Sequence, residues 1–388
     1  MIEYTNKCTG CTACKSICKF NAIKMEDDKN GFKYPIVNKD LCVNCGECER
    51  ICPLNNKSTK RTTPKAFACY NKDKNIRLQS SSGGIFPIIA TKILASDGVV
   101  YGAAFDEKYN VKHIKIEKIE EIEKLRGSKY VQSNLGETFK KIKTNLDEGK
   151  KVLFTGTPCQ VAGLLNFLKR EYSNLYTLDF ICHGTPSPKV WKKYLEFRKK
   201  EDNKKEISGI NFREKSELGW EKYAMNIKYT KGEYTKIHSE DLYMKAFLGD
   251  VSLRESCYNC SFKGEEREAD ITLADFWGVK KVMPSMYGKE GTSILMINSE
   301  KGQELFKTIE NNLEYKEVDI NEVKKYNPSM INSVKRPKSR DEFFNNIATE
   351  DFDKLVAKNV KEKNNTLIHK TKRIVKKVLI KCNLLEKE

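Results

Sequence analysis

The sequence KKVLFTGTPCQVAGLLNFLKREYSNLYTLDFI, at residues 150–181, alternates between strand-like and helix-like patterns. KKVLFTG is a short apolar run that favours a buried strand, and LYTLDFI is a second one. TPCQVAGLLNFLKREY, between them, favours a helix and carries a proline at its start, where a helix does not need that N–H group. A strand, a helix and a strand in this order predict a parallel pair and therefore an α/β sheet.

Similar segments continue on both sides of this unit. KAFACYN, GVVYGAAF and VKHIKIE before it, and DITLADF and TSILMIN after it, favour strands. ISGINFRE and YAMNIKY look like antiparallel additions. The first 55 residues are instead dense in cysteine and rich in turns, and residues 56–65 are polar and basic, which predicts a linker.

Composition restricts the class of protein. The chain has 388 residues, a net charge of +18 and no apolar run long enough to span a bilayer. Its N-terminus, MIEYTNKCTG, lacks the basic and apolar regions of a signal peptide, so we expect a cytoplasmic protein. Thiols stay reduced there, so the 14 cysteines favour metal ligation over disulfides. We expect the basic excess on solvated helix faces and no nucleic-acid partner, because no nucleic-acid-binding fold is recognisable.

Eight of the cysteines form a repeat. The spacing C-x2-C-x2-C-x3-C occurs twice, at Cys8, Cys11, Cys14 and Cys18 and again at Cys42, Cys45, Cys48 and Cys52. This is the spacing of bacterial ferredoxins with two 4Fe-4S clusters, in which the fourth cysteine of each run ligates the other cluster. It assigns one cluster to Cys8, Cys11, Cys14 and Cys52, and the other to Cys42, Cys45, Cys48 and Cys18. A zinc ribbon, the alternative, requires two pairs of cysteines and not two quartets.

Four further cysteines predict a third site. Cys159 follows the strand KKVLFTG, and Cys182 ends the strand LYTLDFI. Both therefore lie at the carboxyl rim of the sheet, where open α/β sheets bind their ligands. Cys257 and Cys260 form a CxxC pair, which supplies two of the four ligands that a sulfur-ligated site requires. We expect these four thiolates to hold a third 4Fe-4S cluster.

Other interpretations of these cysteines stay open. Four thiolates also suit zinc, and each cysteine could instead be buried on its own. Cys159 alone could be a reactive thiol, because a helix N-terminus lowers the pKa of a thiol. Of the two cysteines left over, Cys69 is expected in the core, and Cys382 has no partner in the sequence.

Five motifs in this order resemble a known family. SSSGG, GSKYVQS, GTPCQVAGL, CHGTPSPKVW and SCYNCSFKGEEREADITLADFWG are similar to the beta subunit of coenzyme F-420 hydrogenase and dehydrogenase, here with a ferredoxin domain fused at the N-terminus. The resemblance covers about residues 1–315. It implies a flavin, usually FAD, beside a 4Fe-4S cluster, and electron exchange with a deazaflavin coenzyme or another acceptor. The fused form resembles proteins of anaerobic bacteria that are often linked to surface-polysaccharide genes.

The predicted fold class is α+β / α/β. It comprises a bacterial ferredoxin-like two-cluster domain at residues 1–56, a larger mixed α/β flavin-binding domain in two parts at residues 64–145 and 146–318, and a basic helical tail at residues 319–388. Within the tail, residues 366–385 repeat apolar positions at a period near 3.6, which predicts a basic amphipathic helix. Such a helix could give peripheral contact with an anionic membrane, or pack on the protein's own core.

A flavin site is expected around two loops. The chain has no GxGxxG motif, so a dinucleotide site of that type is not indicated. A loop before a helix could instead present hydroxyl and N–H groups to a phosphate, although an ordinary turn would look the same. Lys129 could neutralise that phosphate. The predicted cofactor-binding residues are Ser81, Ser82, Gly83, Gly84, Ser128, Lys129, Tyr130 and Thr157.

The expected function is a flavin- and iron–sulfur-dependent oxidoreductase. It passes electrons between a two-electron carrier or substrate, which is not identified, and an external one-electron carrier such as ferredoxin. His183 and Asp275 are the candidate catalytic residues near the flavin ring. Two alternatives are a non-catalytic electron-transfer subunit and a reductase that acts in surface polysaccharide biosynthesis.

Overall fold

The computed structural model describes residues 5–56, 64–203 and 206–360. Its cysteine-rich N-terminal module, residues 5–56, contains one β-hairpin and two short helices. The elements are α1 (Ala13–Ile17), β1 (Ile23–Asp27), β2 (Lys33–Val37) and α2 (Glu47–Arg50). Each helix starts after a residue in the left-handed region, Thr12 at φ 66° and Gly46 at φ 74°. These sharp turns let closely spaced cysteines face one point.

The body of the protein is built on an eight-stranded mixed sheet. The strands of the body are β3 (Lys65–Asn71), β4 (Val99–Phe105), β5 (Val111–Ile116), β6 (Val152–Thr155), β7 (Leu175–Phe180), β8 (Ile207–Glu214), β9 (Ala224–Tyr229), β10 (Glu233–Ile237), β11 (Ile271–Asp275), β12 (Ser293–Ile297) and β13 (Leu313–Val318). The large sheet has the order β13-β3-β12-β11-β7-β6-β4-β5. Its four central strands, β11, β7, β6 and β4, are parallel, and the strands on either side are antiparallel. The pair β6–β7 is the parallel pair that residues 150–181 predict.

Helices cover both faces of this sheet. The helices of the body are α3 (Lys74–Leu78), α4 (Ile85–Leu94), α5 (Ile122–Leu125), α6 (Thr138–Asp147), α7 (Pro158–Leu168), α8 (Pro188–Glu201), α9 (Leu242–Leu248), α10 (Val279–Val282), α11 (Glu300–Ile309), α12 (Ile320–Tyr326), α13 (Arg340–Asn346) and α14 (Phe352–Asn359). Ile89 of α4 and Phe306 of α11 share one core with Leu153 of β6. Phe139 of α6 shares the opposite core with Phe154 of β6, because successive side chains of a strand point to opposite faces.

A second sheet, with the order β10-β9-β8, packs with α8, α9, α13 and α14 around a further core. Trp191 of α8, Tyr243 of α9 and Phe352 of α14 belong to this core. Phe32 and Tyr34 of the N-terminal module belong to it as well. The module therefore shares hydrophobic packing with the body and is held against it.

Two segments differ from the sequence-based expectation. The sequence predicts no strand beyond residue 298, yet Leu313–Val318 forms β13 at the edge of the large sheet. Only the two end residues of β13 are buried, so its charged middle shows none of the apolar alternation that marks a strand. The predicted tail begins at residue 319, but Phe343 and Leu355 are fully buried in the body.

Residues 366–385, where the sequence predicts an amphipathic helix, lie outside the described residues. Within residues 5–56, 64–203 and 206–360, no helix has the length and apolar character needed to cross a bilayer.

Candidate functional site

Four cysteines from three separate segments meet at the carboxyl rim of the large sheet. Cys159 lies in the first turn of α7, directly after β6, and Cys182 follows the end of β7. Cys257 lies in a 3-10 turn, Glu255–Asn259, and Cys260 comes directly after that turn. All four side chains line a single cavity, which we call the four-cysteine cavity. The structure thus brings together the residues proposed for a third cluster.

The start of α7 fixes the position of Cys159. Thr157 caps the helix in a capping box with Gln160, whose side chain accepts a hydrogen bond of 2.9 Å from the Thr157 N–H group. Pro158 occupies the first helical position. The hydroxyl of Thr157 also lies 3.1 Å from the Cys159 sulfur. Thr157, predicted to bind the cofactor, therefore has a role in orienting a cysteine.

Burial is the main influence on the pKa of three thiols of the four-cysteine cavity. Burial, followed by the neighbouring thiol of Cys260, raises the pKa of Cys159 well above its usual value. Burial raises the pKa of Cys182 to about 12, against the opposing effect of Lys263. Burial also raises the pKa of Cys257. Burial thus disfavours the thiolate forms of Cys159, Cys182 and Cys257, and a bound cationic group would stabilise them.

Polar groups around the cavity favour negative charge. The Thr185 N–H group donates a 3.4 Å hydrogen bond to the Cys257 sulfur. The Lys263 ammonium donates to the Cys182 carbonyl oxygen and, at 2.7 Å, to that of Ser329. Lys263 and Arg267 both lie on the cavity lining and lower the pKa of Cys182. Hydrogen bonds and cations of this kind support thiolate ligands and tune a bound cluster.

Within the described residues, no three His, Cys, Asp or Glu side chains are placed as ligands of a single metal ion.

The first ferredoxin site, assigned to Cys8, Cys11, Cys14 and Cys52, forms a comparable group. Burial raises the pKa of Cys11 to about 12, and the thiols of Cys8 and Cys52 add to this effect. Burial also raises the pKa of Cys14, and the same neighbours contribute. The cysteine that the spacing assigns from the second motif, Cys52, thus lies with three from the first.

The second ferredoxin site, assigned to Cys18, Cys42, Cys45 and Cys48, lies nearer the surface. Cys45 is exposed, and the other three are partly buried. Arg50 of α2 donates a 2.8 Å hydrogen bond to the Cys45 carbonyl oxygen, which holds the loop in front of that helix. The two ferredoxin sites therefore differ in their access to solvent.

The N-terminal module touches the four-cysteine cavity directly. Thr9, in the first cysteine motif, lines the cavity, and so does the buried Arg254. Arg254 donates 2.9 Å and 3.0 Å hydrogen bonds to the carbonyl oxygens of Cys8 and Lys33. Arg254 is not predicted from the sequence, in which it is only an arginine three residues before the CxxC pair.

The two loops predicted to bind flavin lie side by side. The Ser81 hydroxyl oxygen accepts a 2.8 Å hydrogen bond from the Ser128 N–H group, and the two hydroxyls lie 3.0 Å apart. The Lys129 ammonium donates to the carbonyl oxygens of Lys124, Arg126 and Gly127 at 3.0, 3.0 and 3.3 Å. Burial lowers the pKa of Lys129 to about 7. Lys129 thus stabilises its own loop in this conformation.

Several groups of the serine–glycine loop are already paired. The Ser82 hydroxyl donates to the Thr292 carbonyl oxygen at 3.1 Å, and the Gly83 N–H group donates to the Ser293 hydroxyl at 2.9 Å. Gly84 begins α4 in the left-handed region, at φ 78°. The Lys215 ammonium reaches this loop and donates to the Ser82 carbonyl oxygen at 2.8 Å. Lys215 was not identified from the sequence.

Asp275 and Tyr130 meet a buried arginine beside these loops. Arg213 donates to the two carboxylate oxygens of Asp275 at 2.9 and 3.1 Å and to the Tyr130 hydroxyl at 3.3 Å. Its guanidinium lies 3.9 Å from the ring centre of Tyr223 and 5.4 Å from that of Trp277. Asp275 is therefore the partner of a buried cation, and it is not among the residues that line the four-cysteine cavity.

His183 lies at the four-cysteine cavity instead. It lines that cavity, and its Nε2 atom lies 2.6 Å from the Asp250 carboxylate. Its ring packs edge-on against Phe247 at 5.3 Å between centroids. The two predicted catalytic residues thus occupy different surroundings, one beside the cysteines and one beside Arg213.

A cysteine-rich ferredoxin module fused to an α/β body that gathers four more cysteines defines an iron–sulfur oxidoreductase. Two parts of the chain match known families. Residues 149–323 match the family model for the C terminus of the beta subunit of coenzyme F420 hydrogenase/dehydrogenase, and residues 7–56 match the 4Fe-4S dicluster domain. These matches confirm the resemblance seen in the sequence.

Two curated relatives and one solved structure add detail. An uncharacterized protein of Methanocaldococcus jannaschii is 26% identical over 78% of this chain and 86% of its own length. The coenzyme F420-dependent sulfite reductase of the same organism is 26% identical over 86% of this chain and 50% of its own length. A chain of the F420-reducing [NiFe] hydrogenase complex from Methanosarcina barkeri aligns with a TM-score of 0.47 and 18% identity, covering 70% of this chain and 89% of that one.

Proposed function

We propose that this protein is a flavin- and iron–sulfur-dependent oxidoreductase that exchanges electrons between a two-electron partner and a one-electron carrier. Three 4Fe-4S clusters and one FAD would supply that chemistry when bound, because a flavin accepts two electrons together and clusters accept them singly. The observation that carries the proposal is the four-cysteine cavity, which lies against the first ferredoxin site. Its cysteines would hold the third cluster, and Lys263 and Thr185 would support its thiolates.

The flavin proposal is supported by a concentration of buried cations beside the two loops. Arg77, Arg213 and Lys215 lie there against two carboxylates, Asp275 and Glu290. Burial, followed by the charge of Arg213, lowers the pKa of Lys215 to about 7. Three cations with two counter-charges favour the binding of an anion, such as the pyrophosphate of FAD.

An exposed aromatic side chain adjoins these cations. The Trp277 indole is 41% exposed, although it stacks on the buried Trp220 at 4.8 Å. A large exposed ring on a rigid base offers a surface for a planar ligand. Trp277 would therefore stack on the adenine or isoalloxazine ring of the flavin.

The second ferredoxin site supports exchange with an external one-electron carrier. Cys45 is exposed there, and Leu41 and Val43 on the same loop are 49% and 57% exposed. Apolar surface around a site near solvent is typical of transient contacts with another protein. A ferredoxin-type carrier would dock at this end of the molecule.

The first experiment is anaerobic purification with analysis of iron, sulfide and flavin. We expect about twelve iron atoms and one FAD per chain, four irons for each cluster. Reduction of the bound flavin by a two-electron donor is then followed by absorbance. Reduced deazaflavin coenzyme is the first donor to test, because a relative is an F420-dependent sulfite reductase. A protein that holds no flavin after reconstitution contradicts the proposal.

The same measurement separates the proposal from a passive electron-transfer subunit. An enzyme of the proposed kind is reduced by a two-electron donor in the absence of any partner protein. A relay subunit is reduced only by one-electron donors such as reduced ferredoxin. Trp277→Ala should weaken FAD binding and leave the iron content unchanged, which tests the flavin position independently.

A further inference from the structure

Arg254 connects two cysteine sites that are far apart in the sequence. On the side of the N-terminal module, its side chain donates to the Cys8 carbonyl oxygen at 2.9 Å and lies 3.9 Å from the Cys8 sulfur through Nη2. On the side of the body, its carbonyl oxygen accepts a 3.0 Å hydrogen bond from the Cys257 N–H group, and its own N–H group donates to Thr185 at 2.9 Å. One residue thus holds a cysteine of the first ferredoxin site and a cysteine of the four-cysteine cavity.

The surroundings of Arg254 fix the orientation of its guanidinium. The residue is 1% exposed, and its guanidinium lies 4.0 Å from the centre of the Tyr34 ring. Nη2 also donates to the Lys33 carbonyl oxygen at 3.0 Å, and Nη1 donates to Gln132 at 3.4 Å. None of these contacts pairs the cation with a carboxylate. Its positive charge is therefore available to the two groups of thiolates that it faces.

The packing of α7 brings the same two sites together at a second point. A methyl group placed on Gly163 would lie 2.9 Å from both Cβ and Sγ of Cys11. Gly163 lies one helical turn beyond Cys159, so a cysteine of the first ferredoxin site touches the helix that begins the four-cysteine cavity. The segment of Arg254 and helix α7 thus both hold the first ferredoxin site close to the four-cysteine cavity.

We propose that Arg254 is a shared positioning and electrostatic residue, which fixes the first ferredoxin site against the four-cysteine cavity and raises the reduction potential on both sides. The inference rests on the proposed third cluster. A buried cation stabilises the added negative charge of a reduced cluster, and N–H groups directed at its sulfurs act in the same direction. Arg254 is not proposed as a ligand, and no proton or bond changes at it.

The test compares three variants of the full-length protein, purified and reconstituted without oxygen. Arg254→Met removes the charge but keeps most of the side-chain volume, and Arg254→Lys keeps the charge. Arg340→Met is the matched control. Arg340 is also buried and donates to the Leu253 carbonyl oxygen at 3.1 and 2.8 Å, but it does not line the four-cysteine cavity. Its guanidinium also pairs with Glu255 at 3.0 Å, so this variant reports the effect of disturbing the same segment and its ion pair.

Reduction potentials are measured by redox titration followed by electron paramagnetic resonance, with the iron content of each sample. We expect about twelve irons in the wild type and in Arg254→Lys. In Arg254→Met the equilibrium constant for one-electron reduction should fall at least tenfold at the first ferredoxin site and at the cavity, a negative shift of about 59 mV. Arg254→Lys should recover most of this shift. The second ferredoxin site should keep its potential.

Three outcomes overturn the inference, and they can be told apart. About eight irons in the wild type contradict the third cluster on which the inference rests. Twelve irons with unchanged potentials in Arg254→Met contradict the role of Arg254 alone. An equal shift in Arg340→Met contradicts a specific role of Arg254, because any disturbance of this segment would then have the same effect. If Arg254→Met does not retain its iron, the iron content of Arg254→Lys becomes the test. If Arg254 has only a packing role, the lysine variant should lose as much iron as the methionine variant.

Discussion

The ferredoxin sites and the four-cysteine cavity use the same ligands but are built in opposite ways. The ferredoxin cysteines lie in two runs of 11 residues, Cys8 to Cys18 and Cys42 to Cys52, and two tight turns direct most of them. The cavity instead takes one cysteine from the start of α7, one from the end of β7 and two from a turn far along the chain. The first kind depends on local chain geometry, and the second depends on the whole sheet.

This contrast predicts that the sites respond differently to changes in the body. A substitution in the core of the large sheet should perturb the cavity most, because the sheet positions the segments that carry Cys159 and Cys182. A substitution at the contact between module and body should mainly perturb the first ferredoxin site. The second ferredoxin site should be the least affected by either.

The largest effect is expected from removing ligands of the cavity. Cys257→Ala combined with Cys260→Ala should lower the iron content from about twelve to about eight per chain. Cys69→Ala is the matched control, because Cys69 is fully buried in β3, three strands from β7, and does not line the four-cysteine cavity. Iron and sulfide analysis of anaerobic protein measures the difference. An iron content that stays unchanged in the double variant would show that the cavity holds no cluster.

A smaller effect is expected on stability, which should depend more on the core of the sheet than on the surface of the N-terminal module. Phe154 of β6 is fully buried and packs against Phe139 at 5.9 Å between ring centroids. Phe154→Ala should lower the free energy of unfolding by about 3–5 kcal/mol, from lost burial and the remaining cavity. Phe20→Ala in the N-terminal module, where the ring is 49% exposed, should change it by no more than about 0.5 kcal/mol.

Urea unfolding followed by tryptophan fluorescence measures both variants. The cavity cysteines of Phe154→Ala should also react faster with a thiol reagent in protein without clusters. Equal stability losses in the two variants would contradict the view that the sheet carries the assembled site.

The contact between module and body can be tested with one methyl group. Gly163→Ala gains helix propensity of about 1 kcal/mol, but the new Cβ would lie 2.9 Å from the Cys11 sulfur. Overpacking of this kind costs about 1–3 kcal/mol, so we expect a small net loss of stability and an altered signal from the first ferredoxin site. Gly209→Ala is the control, since its nearest neighbour would be 3.8 Å away. Circular dichroism of the clusters in the visible range detects the change.

The smallest effect concerns the flavin region and depends on pH. The pKa of Lys215 is lowered to about 7, so its ammonium is charged at pH 6 and mostly neutral at pH 9. If it binds an anionic flavin, the affinity should fall as the pH rises above about 7, by at most tenfold per pH unit for one proton. Lys215→Arg should remove this dependence, because arginine stays charged. Fluorescence titration with FAD from pH 6 to 9 measures it, and a flat profile in the wild type would place Lys215 outside the site.

The parts of this protein that depend on spacing could be predicted from the sequence. The ferredoxin module follows from two cysteine runs, and the parallel pair β6–β7 follows from one strand–helix–strand segment. The pairing of Cys159 and Cys182 with the CxxC pair could be proposed because both follow strands of one sheet. These features depend on distances along the chain or on a general rule of sheet topology.

The remaining features depend on contacts between distant segments. Arg254 and Lys215 resemble ordinary surface cations in the sequence, and only the fold buries them. Three of the six residues of the edge strand β13 are charged and only its two end residues are buried, so its pairing with β3 has no local signal. Lys129 is held by three carbonyl oxygens of its own loop, which a motif does not reveal.

The close packing of Cys11 on Gly163 has a consequence for the biogenesis of the protein. With the module resting on α7, Cys14 is buried and the other cysteines of the first ferredoxin site are partly buried. A delivery protein that donates iron and sulfide needs direct access to the receiving thiols. Cys45 of the second site stays exposed in the docked module. We therefore expect the proposed inner cluster to be inserted before the module docks, and the proposed outer one to remain replaceable in the folded protein.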